Sequence, residues 1–127
     1  MKFKICREDL LQPLQLVVGV VERRQTLPIL SNVLIALKDN CLSITGTDLE
    51  VEIVGHVMLK DPEADGEITV PARKLMDICR SLPESTDIKF TEKDGKVQII
   101  SGRSRFTLSS LPADEFPSID EGDSGKS

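Results

Sequence analysis

Residues 71–83 read PARKLMDICRSLP, with a proline at either end. Proline suits the first turn of a helix, where its missing N–H costs nothing, and a position just past the last turn. Between them Leu75, Ile78, Cys79 and Leu82 recur at helical spacing and form one apolar face. Arg73, Asp77 and Arg80 share the opposite face, with Lys74 and Ser81 at its flanks. Taken alone, those charges need be no more than ion pairing around Asp77. Outward from this helix, EITV (67–70) precedes it as a strand. DIKFTEK (87–93), a KDG turn (93–95), KVQII (96–100) and SGRSRFTLSSL (101–111) follow as three more. In the last of these, Arg103, Arg105 and Thr107 point one way and Ser104, Phe106 and Leu108 the other.

The front half repeats the order. KFKIC (2–6) is a short strand with Phe3 and Ile5 inward. Glu8 and Asp9 then suit the positive end of a helix dipole. Leu10, Leu11, Leu14, Val17, Val18 and Val21 make one broad apolar face, and Pro13 is expected near the first turn of that helix. NVLIALK (32–38), a KDN turn (38–40), CLSIT (41–45) and DLEVEIVGHVML (48–59) are three strands, the last with Leu49, Val51, Ile53, Val57 and Leu59 on one side. KDN matches KDG, and TGTD (45–48) matches SGRS (101–104). Each half is strand, helix, three strands, and each leaves an apolar face to cover. Two such units should pair about a pseudo-twofold axis. The expected fold is α+β, with two helices side by side on curved antiparallel sheet.

At 127 residues the chain is long enough for one domain with a real core. It contains no tryptophan or tyrosine and four phenylalanines, so Leu, Ile and Val must build that core. The net charge of −5 argues against whole-surface attraction to nucleic acid or anionic membrane and leaves only a local basic face. Three cysteines, Cys6, Cys41 and Cys79, are scattered and odd in number, which fits reduced thiols in the cytoplasm. The opening MKFKICREDLL lacks the apolar run of a signal peptide, and no stretch is long enough to span a bilayer. The expected domain is 1–118, with the acidic, small-residue segment 119–127 as the start of a linker between domains.

No constellation for catalysis is visible. GDSG (122–125) has the letters of a serine-protease motif without the base and orienting acid that the chemistry needs. His56 lies at the parity of Glu50 and Glu52, on a solvent face. GKS (125–127) lacks the glycine that a phosphate loop has five positions earlier, where Asp120 stands. Asp48, Glu50 and Glu52 read as the wet face of an amphipathic strand, without a His or Cys to complete a metal site. No cofactor is expected. RRQTLPIL (23–30) sets two cations in a loop, a form suited to a backbone phosphate.

RRQTLPILSN, TGTDLEVEI, TVPARKLMDICRSLP, SGRSRFTLSSLPADEFP and the opening MKF together resemble the N-terminal domain of the bacterial sliding clamp family, the β subunit of DNA polymerase III. The likeness runs along almost the whole chain. It implies a doubled βαβββ domain whose helices face a central channel. In that family the complete ring is a head-to-tail dimer that encircles duplex DNA, confers processivity on the polymerase and catalyses nothing. By position, Arg24 resembles a loop arginine that touches DNA, and the resemblance implies that Arg73 and Arg80 lie on a helix that lines the channel. Gln12 departs from a cation frequent on the first helix, which makes the lining less positive. The resemblance implies that Phe106 and Leu108 form the apolar centre of the subunit joint, while Lys74, Arg103 and Arg105 pair with carboxylates across it. Implied partners are duplex DNA, a second clamp subunit, and polymerase and clamp loader through later domains. The alternative is an oligomerisation module with no DNA role that uses the same arginine-bearing edge.

Overall fold

The structure is a computed structural model that describes residues 1–21, 28–60 and 64–117. The first unit comprises β1 (Lys2–Cys6), α1 (Arg7–Val21), β2 (Asn32–Lys38), β3 (Cys41–Thr47) and β4 (Glu52–Met58). The second comprises β5 (Gly66–Pro71), α2 (Ala72–Ser81), β6 (Asp87–Lys93), β7 (Lys96–Ser101) and β8 (Ser104–Ser109). The order is therefore strand, helix, three strands, twice.

Both expected KD turns are tight. Asp39 and Asn40, between the paired Lys38 and Cys41, have φ of 50° and 71°. Asp94 and Gly95, between Lys93 and Lys96, have 51° and 78°. Two successive positive φ angles make the hairpin turn whose twist matches the strands it joins, and Asn, Asp and Gly reach that region at least cost.

The two units exchange their first strands. One sheet runs β1-β6-β7-β8 and the other β4-β3-β2-β5, both antiparallel. Each thus takes one strand from one unit and three from the other. Two isolated bridges repeat the symmetry: Ala64 pairs with Lys2 on the free side of β1, and Leu111 pairs with Thr69 on the free side of β5. β4 and β8 remain as the outer edges.

The helices lie side by side. α1 buries Leu10, Pro13, Leu14, Val17, Val18 and Val21, and α2 buries Ala72, Leu75, Met76, Ile78 and Cys79. They share one core with Ile35, Leu42, Ile44, Ile88 and Ile99 of the sheets, in which Phe3 and Phe90 stack across the β1–β6 pair at 4.6 Å. Each such side chain, taken out of water, contributes about 1.5–3 kcal/mol before conformational entropy is set against it.

Three local features differ from the sequence reading. Pro13 sits well inside α1, not in its first turn. Its ring packs against Gly55 of β4, where an added Cβ would lie 2.6 Å from the Pro13 Cβ. The strand expected from residue 48 begins at Glu52. The Asp48 carboxylate accepts the amides of Glu50 and Val51, both at 2.9 Å, and the Thr47 hydroxyl accepts the Leu49 amide at 3.0 Å. That knot bends the chain away from the sheet and leaves Leu49 and Val51 half exposed, not aligned with Ile53. Arg103 stands in the two-residue turn after β7, beside Gly102 at φ 59°, so the strand alternation starts only at Ser104.

Candidate nucleic-acid and subunit interfaces

α2 presents its cations to solvent through helical geometry. Its apolar stripe is anchored in the core, so the remaining arc must face solvent, and Arg73, Lys74, Asp77, Arg80 and Ser81 are all exposed. Arg73 and Arg80 are seven residues apart and so project from the same side two turns apart. Asp77 lies between them. The helix ends where Leu82 turns to extended backbone and its amide reaches the Cys79 carbonyl at 3.3 Å.

The α1 surface is of another kind. Gln12, Gln15, Leu16 and Gly19 are its exposed central positions, with Leu16 65% exposed. No basic residue occupies its last turn. The helices are pinned head to tail: Arg7 Nε donates to the Cys79 carbonyl at 2.7 Å, and the Glu8 carboxylate accepts the Ser85 amide at 3.0 Å. The Ser85 amide and, to a lesser degree, the Cys6 thiol and Arg7 guanidinium hold the Glu8 carboxyl below its ordinary value. Burial pushes the Cys79 thiol up to about 11, against the opposing pull of the Arg7 charge.

β8, the last strand of its sheet, presents its unpaired side. Arg105 and Thr107 are exposed, opposite Ile100 and Gln98 of β7. Phe106 is half-buried against the core, with part of its ring still at the surface. Leu108 is only 6% exposed and belongs to the core of its own sheet. It offers a partner little surface of its own. Lys74 stands on α2 beside Arg73, not on the strand. Arg24 and residues 118–127, including the GDSG and GKS letters, lie outside the described residues.

The second outer edge, β4, has no counterpart among the sequence expectations. β4 exposes Glu52, Val54, His56 and Met58, continuing from exposed Leu49, Glu50 and Val51. The signal was the unusually long alternation of 48–59, taken as one strand with a single wet face. His56 is exposed opposite Ser43, away from any ligand set. Among the described residues no three His, Cys, Asp or Glu gather as for a metal ion. Where β1, β6 and the end of β4 meet, a groove of about 310 Å³ is rimmed by Lys4, Lys60, Asp9 and Asp87 and so selects neither sign of charge. No helix among the described residues is long and apolar enough to cross a membrane.

Two βαβββ units with exchanged first strands, two helices packed side by side and β4 and β8 left as outer edges define a clamp-type domain. The chain belongs to the DNA polymerase III beta subunit family: residues 1–120 match the description of its N-terminal domain. It is 62% identical over 122 residues to the beta sliding clamp of Pseudomonas putida, and 52% identical over 121 residues to that of Escherichia coli. These alignments take in 96% and 95% of this chain and 33% of each relative, so the chain spans about a third of their length. A sliding clamp structure from Pseudomonas aeruginosa superimposes with a TM-score of 0.92 at 62% identity, covering 96% of this chain and 33% of that one. The Caulobacter crescentus polymerase III beta structure gives 0.88 at 43% identity, covering 93% and 32%. The relatives are named as sliding clamps or as the beta subunit of DNA polymerase III.

Proposed function

We propose that the chain is the first domain of a replicative sliding clamp, spanning residues 1–118 with 119–127 opening the linker to the next domain. The complete protein closes head to tail as a dimeric ring around duplex DNA in the cytoplasm. Its mechanism is topological: a closed ring does not dissociate sideways, so weak phosphate contacts are enough and sliding stays fast. An acidic chain with cations confined to an exposed helix face is suited to that task, since a strongly basic ring would bind the backbone tightly and in a salt-dependent way. Arg73, Arg80 and Arg24 face the duplex in this reading. Polymerase and clamp loader engage the remainder of the longer protein.

The subunit joint uses β8. An unpaired edge extends a neighbouring sheet through main-chain hydrogen bonds, and side chains set the register. Phe106 supplies apolar contact over Leu108, while Lys74, Arg103 and Arg105 attract carboxylates and favour the correct partner edge. The observation that carries the reading is the match over residues 1–120, which includes the arginine-bearing β8 hairpin.

The test is light scattering on the longer gene product beside its Arg105→Glu variant, followed by retention on circular and linearised DNA. A parent dimer that falls to monomer in the variant, together with loss from DNA on linearisation, is expected. A full-length monomer in both cases would remove the joint. A stable dimer that never stays on circular DNA would favour an oligomerisation module instead.

A further inference from the structure

The two helices share a side of the domain but not a chemistry. Across its exposed centre α1 offers two amides, a leucine and a glycine, Gln12, Gln15, Leu16 and Gly19. α2 offers Arg73, Lys74 and Arg80, and sets Asp77 between the two arginines. At spacings of four and three residues, the Asp77 carboxylate is a surface neighbour of both. A phosphate that approaches either guanidinium therefore also approaches an anion. These groups are exposed, and the helix is anchored in the core by its opposite face.

We infer that, within this domain, helical contact with the DNA backbone is made by α2 alone, and that Asp77 is a grip-limiting residue that keeps this contact weak while α1 provides a neutral surface past which the duplex slides. The inference rests on the proposal that the helices face DNA, and it adds which helix binds and what restrains it. One unit charge acting across roughly 8 Å of water changes an affinity about two- to threefold. Removal of the Asp77 charge is a change of that size, and it should also steepen the dependence of binding on salt.

The experiment is a nuclear magnetic resonance titration of the isotope-labelled 127-residue chain with a short duplex at low salt, repeated for Asp77→Asn and Arg80→Ala. Both positions are exposed, and the dispersion of the spectrum reports the fold directly. Perturbation at Arg73, Asp77 and Arg80 without perturbation at Gln12, Gln15, Leu16 and Gly19 is expected. Asp77→Asn should bind about two- to threefold more tightly, and Arg80→Ala more weakly. Equal perturbation of both helices, or an unchanged affinity for Asp77→Asn, overturns the inference and leaves the clamp reading intact. Perturbation of neither helix, whether another surface responds or none does, overturns the inference together with the orientation it rests on.

Discussion

The guanidinium of Arg7 donates through Nε to the carbonyl oxygen of Cys79 at 2.7 Å, fastening the first turn of α1 to the last turn of α2. A helix C-terminus carries unpaired carbonyls and partial negative charge, so a cation placed there answers both needs. The same guanidinium reaches the neighbouring Glu8 carboxylate at 2.8 Å through Nη1. The pair of helices is therefore tied at this end by directional bonds as well as by apolar packing.

Replacement of Arg7 by methionine keeps most of the side-chain packing and removes the donor. The expected loss is about 1.5–3 kcal/mol, the range for hydrogen bonds to charged groups. Urea denaturation should show a lower midpoint with an unchanged slope. A midpoint within error of the parent would mean that apolar packing alone holds the helices together.

Asn32, Thr69 and Leu111 form a second tie, on the β5 side. The Asn32 amide donates to the Thr69 hydroxyl at 3.0 Å, and that hydroxyl donates to the Leu111 carbonyl at 3.0 Å. Asn32 and Thr69 are both buried. Thr69→Val keeps the shape but strands the Asn32 donor, and about 1–3 kcal/mol should be lost. Amide exchange at Leu111, whose N–H bonds Thr69 in the parent, should accelerate if the exit from β8 loosens as expected.

Two glycines give opposite expectations for one substitution. At Gly55 a new methyl would meet the Pro13 Cβ at 2.6 Å, an overpacking cost of about 1–3 kcal/mol. At Gly19, exposed inside α1, nothing lies within 4 Å, and alanine should gain about 0.5–1 kcal/mol in helix propensity. Thermal melting of both variants checks the pair, and a stabilised Gly55→Ala would contradict the Pro13 contact.

Glu8 sets an acid limit. Its carboxyl lies below the ordinary value of 4.5 in the folded chain, chiefly because the Ser85 amide donates to the charged form. The stabilisation is therefore complete above the unfolded value and is lost as pH falls through the lower folded one. Glu8→Gln should be less stable than the parent at neutral pH, and the two curves of stability against pH should converge on the acid side. Curves that stay parallel down to the most acid point would sever the link.

The three thiols should separate by reactivity. Cys79 is buried, and its thiol is pushed up to about 11, so little thiolate exists at neutral pH. Cys6 and Cys41 are only half-buried. A disulfide reagent should modify Cys79 only when the chain unfolds, and rapid labelling of all three in native buffer would show that the helix pair opens readily.

Much of this fold could be read from the chain. The prolines at 71 and 83, the apolar spacing of Leu75, Ile78 and Cys79, and the KDN and KDG turns are local signals, and local geometry honours them. The exchange of β1 and β5 had no such signal, because periodicity reports which face of a strand is buried and not which strand lies beside it. At 48–51 the letters alternate like a strand, but the Asp48 carboxylate captures two amides that a sheet would need. Competition between a side chain and the ladder is invisible to a pattern of apolar and polar letters. Arg103 was misread for a simpler reason, since Gly102 already marked the turn. For the candidate interfaces, exposure of Arg73, Arg80 and Arg105 followed from helical and strand parity, whereas the burial of Leu108 depended on how its sheet meets the core.

The exchanged strands have a consequence for how the chain comes into being. A nascent chain that has released only its first 60 residues holds β2, β3 and β4 without β5, and β1 without the sheet it will join. Neither half can reach its own sheet alone, so folding awaits the second half, and the transition should be all-or-none with many contacts distant in sequence. The same interlock means that a backbone cut between β4 and β5 would release two pieces, each lacking the strand the other carries. Mixed together, they should find one another and restore the domain.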